Sequence, residues 1–145
     1  MAISASSRKR RAETLRRRSW SHAPLPFSAQ KLSSVIATGL PHSGRGDVAT
    51  WSKIYAAIAP QVCGVRRMGA ASLDLAWVAA GRFDGFWEDD LDYWDTAAGL
   101  ILVREAGGFV SDYRGQDRMV DKRQYLATSS ELHSKLHKLL AGALR

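Results

Sequence analysis

Short apolar runs alternate along this chain with longer stretches of helical periodicity, and glycines or prolines separate them. Ser34 to Thr38, SVIAT, reads as a strand, and the loop GLPHSGRGD from Gly39 to Asp47 follows it. Asp47 is placed to cap a helix over 48–58, where Trp51, Ile54, Tyr55 and Ile58 share one face. Val62 to Arg67 reads as a second strand. Ala70 to Ala80 reads as a helix with Leu73, Trp77 and Ala80 on one face, stopped by Gly81. Phe83 to Trp87 is a third strand, and Asp95 to Ala106 a buried helix closed by Gly107 and Gly108. Strands at 109–113 and 124–128 follow. A last helix begins at Ser130, with Leu132, Leu136, Leu139 and Leu140 turned inward. This order, β-α-β-α-β-α-β-β-α, predicts an α/β fold, a layered sandwich with helices on the faces of a sheet.

Charge divides the chain in two. Seven bases against Glu13 alone leave residues 1–22 at +6, while residues 23–145 hold 14 bases and 13 acids. The basic, Ser-rich segment 1–26 therefore reads as a disordered leader ahead of a domain over 27–145. A solvated tail, an arm contacting nucleic-acid phosphates through residues 1–22, and an organelle transit peptide are its three readings. Cys63 is the only cysteine, so no internal disulfide forms. No apolar run reaches the roughly 18 residues of a membrane span, and no apolar core follows the basic start as in a secretory signal. The expected setting is soluble and cytoplasmic, without membrane contact.

The chemistry concentrates in GRFDGFWEDDLDYWDTAAG, residues 81–99. Glu88, Asp89, Asp90, Asp92 and Asp95 crowd into eight positions between or beside Trp87 and Trp94. Such acids repel one another unless water or a cation screens them. Asp95, at the start of an apolar helical run, has two readings: an ordinary N-cap, or a ligand for a hard divalent cation. Glu88 ends an apolar strand, where side chains of open α/β sheets line ligand crevices. Asp89 and Asp90 read as a solvated turn. Arg66, Arg67, Met68, Gly69 and Ala70 set two cations and a glycine before a helix, a weak anion-binding pattern. His42 has no serine or cysteine nucleophile to serve. His133 and His137 lack a third ligand and read as surface residues.

WDTAAGLILVREAGG, residues 94–108, resembles the C-terminal signature of the inositol monophosphatase family of metal-dependent phosphatases. GAASLDLAWVAAGRFDGFWE, residues 69–88, is similar to the segment just upstream of that signature, and ATGLPHSGRGD, residues 37–47, to bacterial members. The resemblance implies the C-terminal part of that fold. It implies a Mg²⁺-dependent phosphomonoesterase of inositol phosphate or similar small polyol or nucleotide phosphates, commonly a homodimer. Asp95 would be a Mg²⁺ ligand. Glu88 would bond hydroxyls of a small phosphorylated polyol, and the backbone around Gly69, Ala70 and Ala71 would contact substrate. Members often carry Ser or Thr where this chain has Ala70.

The family's Asp-Pro-Ile-Asp-Gly-Thr motif, its metal-binding Glu and its water-activating residues have no counterpart here, so no catalytic residue is assigned. The chain looks like the C-terminal half of the enzyme behind an unrelated leader, with little activity expected of it alone. The alternative is a non-catalytic binding module with a nucleic-acid-contacting arm.

Overall fold

The computed structural model describes residues 32–42 and 44–145. The basic segment and the expected onset of order near Phe27 lie outside them. The elements are β1 (Leu32–Thr38), α1 (Val48–Ile58), a 3-10 turn (Ala59–Gln61), β2 (Val62–Arg66), α2 (Ala71–Ala79), β3 (Gly85–Asp89), α3 (Tyr93–Glu105), β4 (Phe109–Ser111), α4 (Met119–Lys122), β5 (Gln124–Thr128) and α5 (Ser130–Ala143).

The strands form one sheet in the order β2-β1-β3-β5-β4. β1 lies parallel to β2 and β3, while β5 runs antiparallel to β3 and β4. Successive side chains of a strand point to opposite faces, and here both faces are apolar. Ile36, Trp87 and Leu126 enter one core with Ile54 and Ile58 of α1 and Leu132, Leu136 and Leu140 of α5. Ala37, Phe86, Tyr125 and Ala127 enter the other with Leu75 and Val78 of α2 and Leu100 and Val103 of α3. The result is a sheet between two helical layers. No helix among the described residues is long and apolar enough to cross a membrane.

Local chemistry sets the helix starts. Asp47 accepts from the N–H groups of Ala49 and Thr50 and from the Thr50 hydroxyl, so α1 begins and ends as the sequence predicts. α3 does not. Its N-cap is Asp92 and its first residue Tyr93, two residues before the start expected at Asp95, and Asp95 occupies the third helical position of a capping box. The N-cap reading of Asp95 is thereby corrected. Strand β3 is displaced two residues from expectation, because Gly85 and not Phe83 pairs with Ile36. Phe83 instead meets the edge of Trp77 at 5.5 Å between centroids.

Two faces also differ from expectation. α2 buries Asp74, Leu75 and Val78, leaving Leu73 exposed. α3 is buried only on the side bearing Thr96, Gly99, Leu100 and Val103, while Trp94 and Ile101 are 79% and 62% exposed. α4 was not expected. His133 is no free surface residue: its ring nitrogens lie 2.9 Å from Ser111 Oγ and 2.9 Å from Thr128 Oγ1, tying α5 to β4 and β5.

Candidate functional site

The parallel strands β1 and β3 end side by side, with Thr38 opposite Trp87. The chain leaves β1 through the loop to Asp47, α2 starts beside it, and the segment from β3 to α3 passes beneath. These pieces enclose a cleft of about 340 Å³. Gly69, Ala70, Ala71, Glu88 and Asp95, five residues singled out from sequence, all line it. Arg45, Arg67, His42 and Trp51 line it too.

Glu88 is half-buried, and burial first, then the negative charges of Asp74 and Asp89, push its carboxyl up to about 7. Arg45 opposes that rise. Behind it, Asp74 is 1% exposed, with its Oδ1 unpartnered among the described residues, and burial raises its carboxyl to about 6 against the pull of Arg67. A carboxyl raised in this way can accept from a hydroxyl when ionised and donate to one when protonated.

Asp95 is tied into a local network. Its Oδ2 accepts from the Asp92 N–H at 3.2 Å and lies 3.4 Å from Arg45 Nη2. Arg45 also pairs with Asp92 Oδ2 at 2.5 Å and donates to the Asp90 carbonyl at 3.1 Å. Arg123 Nη2 completes the cluster, 2.9 Å from Asp90 Oδ1 and 3.2 Å from Asp92 Oδ1. The acids at 90 and 92 thus meet guanidinium groups, and Asp90 is no bare solvated turn. Asp89 is likewise half-buried, its carboxyl raised by that burial. Nothing in the local sequence around Arg45 points to Asp92, 47 residues away. The one available cue was the excess of acid in residues 88–95, which needs cations from somewhere.

Mg²⁺ demands about six oxygen ligands in near-octahedral geometry. Among the described residues no three His, Cys, Asp or Glu side chains come together to hold a metal ion. Asp95 is one carboxylate, already engaged, so these residues alone do not fit the ion.

A sequence profile described as "Inositol monophosphatase family" matches residues 6–145. This chain belongs to the inositol monophosphatase family. Inositol-1-monophosphatase of Mesorhizobium japonicum is 49% identical over 113 residues, 78% of this chain but 42% of that protein. Nus factor SuhB of Pseudomonas aeruginosa is 41% identical over 105 residues, 71% of this chain and 39% of that one. The crystal structure of extragenic suppressor protein suhB from Bartonella henselae superposes with a TM-score of 0.72 at 45% identity, covering 78% of this chain and 43% of that one. The chain thus spans about two-fifths of the length of the inositol monophosphatase relatives it matches.

Proposed function

We propose that this chain forms the substrate-facing side of a phosphomonoesterase centre acting on inositol phosphate or a similar small polyol or nucleotide phosphate. One observation carries the reading: Gly69, Ala70, Ala71, Glu88 and Asp95 line a single cleft. Glu88 takes the polyol hydroxyls, for which a buried carboxyl near neutrality is suited. The backbone at Gly69 to Ala71 bounds the substrate on the α2 side. Ala70 offers no side-chain hydroxyl where relatives often carry one. Asp95 is the one carboxylate offered to Mg²⁺, and the remaining ligands must come from polypeptide outside residues 32–145. The whole centre therefore assembles only with that polypeptide present.

The test is Mg²⁺-dependent phosphate release from myo-inositol 1-phosphate. The purified chain alone is expected to release none above background. Addition of a separately made fragment carrying the part of the Mesorhizobium relative that this chain lacks is expected to restore release, and Glu88→Ala is expected to abolish the gain. Strong release by the chain alone overturns the incomplete-centre reading.

A second reading is a non-catalytic binding module whose basic residues 1–22, seven bases against one acid, contact nucleic acid. Salt-sensitive RNA binding that disappears on deleting residues 1–22, with no restored phosphate release, would select it.

A further inference from the structure

Glu88 owes its place to a missing side chain on the neighbouring strand. Gly39 follows Thr38 and Glu88 follows Trp87, so the two stand next in register after the last β1–β3 pair. Paired residues of adjacent strands project to the same side of a sheet, and a side chain at 39 would stand beside that of Glu88. With only hydrogen there, the carboxylate lies across the α-carbon. A Cβ added at Gly39 would sit 1.9 Å from Glu88 Oε1 and 2.2 Å from its Cδ. Gly39 does not have a positive φ, so the glycine serves close approach and not an unusual backbone conformation.

Gly39 is itself fixed. Its carbonyl accepts from Trp51 Nε1 at 2.8 Å and from Thr38 Oγ1 at 3.2 Å. Trp51 is held by Tyr55, stacked at 5.0 Å, and by Trp87 at 5.9 Å, the residue preceding Glu88. One indole thus bridges the end of β1 and the end of β3.

We propose that Gly39, clamped by Trp51, is a positioning residue that directs the Glu88 carboxyl into the cleft, and that this chain tolerates only hydrogen at position 39 if Glu88 is to meet a polyol. The substrate part of the inference rests on the reading above; the positioning part stands apart from it. The carboxylate is the far end of a flexible side chain, so Gly39→Ala displaces it and leaves the fold intact. Aspartate is shorter by one C–C bond, about 1.5 Å. Glu88→Asp is therefore the size compensation for an added methyl.

The experiment uses the full chain, with Glu88 followed by its side-chain carboxyl carbon signal in NMR and myo-inositol 1-phosphate as probe. In the wild type the signal is expected to titrate near neutrality. In Gly39→Ala it is expected to fall toward the ordinary carboxylate range. Probe affinity is expected to drop about tenfold, the loss of one charge-assisted hydrogen bond. Gly39→Ala with Glu88→Asp is expected to regain at least half of that loss. Trp51→Phe, which keeps an aromatic ring but removes the indole donor, is expected to shift the titration in the same direction by less. An unchanged Glu88 titration in both Gly39→Ala and Trp51→Phe overturns the inference; should Gly39→Ala fail to fold, Trp51→Phe alone decides it. Affinity is measured with the complementing fragment present; a wild type that then binds no probe counts against the phosphate-ester reading, and the titration still judges the positioning role.

Discussion

The two helical layers of this sheet are built on different plans. On one side, α1 and α5 are one-sided helices. Ile54, Ile58, Leu132, Leu136 and Leu140 are buried, while Ser52, Lys53, Lys135 and Lys138 face water. On the other side, α2 and α3 are apolar inside and out. Leu75, Val78, Leu100 and Val103 are buried, and Leu73, Trp94, Ile101 and Leu102 are exposed. Trp94, Ile101 and Leu102, spaced i, i+7 and i+8, share one face of α3. The first layer turns mostly polar side chains to water, with Val48 and Tyr55 of α1 as exceptions; the second keeps more large apolar side chains outside, Leu73, Tyr93, Trp94, Ile101 and Leu102, a surface of the kind that marks an interaction site or an aggregation liability. The lesson is that burial under a helix and polarity above it are separate properties, and only the first is needed to hold this sheet.

The largest expected effect tests the first layer. Leu136→Ala removes a fully buried side chain between α5 and the sheet, and chemical denaturation is expected to show a loss of about 2–5 kcal/mol. Gly99→Ala probes the seam of the other layer, where a new Cβ would sit 2.5 Å from Leu75 Cβ. The expected loss is about 1–3 kcal/mol, as for overpacking, read by the same denaturation curves. If Gly99→Ala is neutral, α2 and α3 are not in tight contact and the comparison weakens.

The α2/α3 side also carries Asp74 and Glu88, whose folded-state values of about 6 and about 7 lie above their ordinary 3.8 and 4.5. The folded chain holds these protons more tightly than the unfolded chain does. Their contribution to stability is therefore full below about pH 4 and is lost as pH rises through about 7. Glu88→Gln is expected to flatten that loss by about 1–2 kcal/mol between pH 5 and pH 8, after allowance for solvent screening, measured as the pH dependence of the thermal midpoint. A slope unchanged by the substitution removes Glu88 from the account.

The smallest effect on stability is expected outside. Trp94→Ser with Ile101→Ser should change folding free energy by less than about 0.5 kcal/mol each. It should nonetheless lower self-association in light scattering or sedimentation. Association unaffected by the pair would show that the outer face of α3 is not what brings copies together.

Periodicity made the first layer legible. α1 was placed to the residue because Asp47 caps it and its buried positions recur every three or four residues. The same method reads α3 as a buried helix, since an apolar run carries no mark of which side meets protein. It also started α3 at Asp95, because Tyr93 and Trp94 look like the end of a loop until Asp92 and Asp95 are seen capping one another. The residues of the cleft were visible as a motif, and the structure gathers them. Arg45, Asp74 and Gly39 were not visible, because their importance comes from what lies across the fold: acids 47 residues away for Arg45, a burial without a partner for Asp74, and an absent methyl for Gly39.

The sheet order has a consequence for synthesis. β1 precedes every other described strand, yet it is an interior strand with β2 on one side and β3 on the other. Among the described strands it has no neighbour until Val62 follows, and its second flank stays open until Gly85 is made. A nascent chain arrested between those points would present SVIAT as a naked strand edge, a template for mispairing.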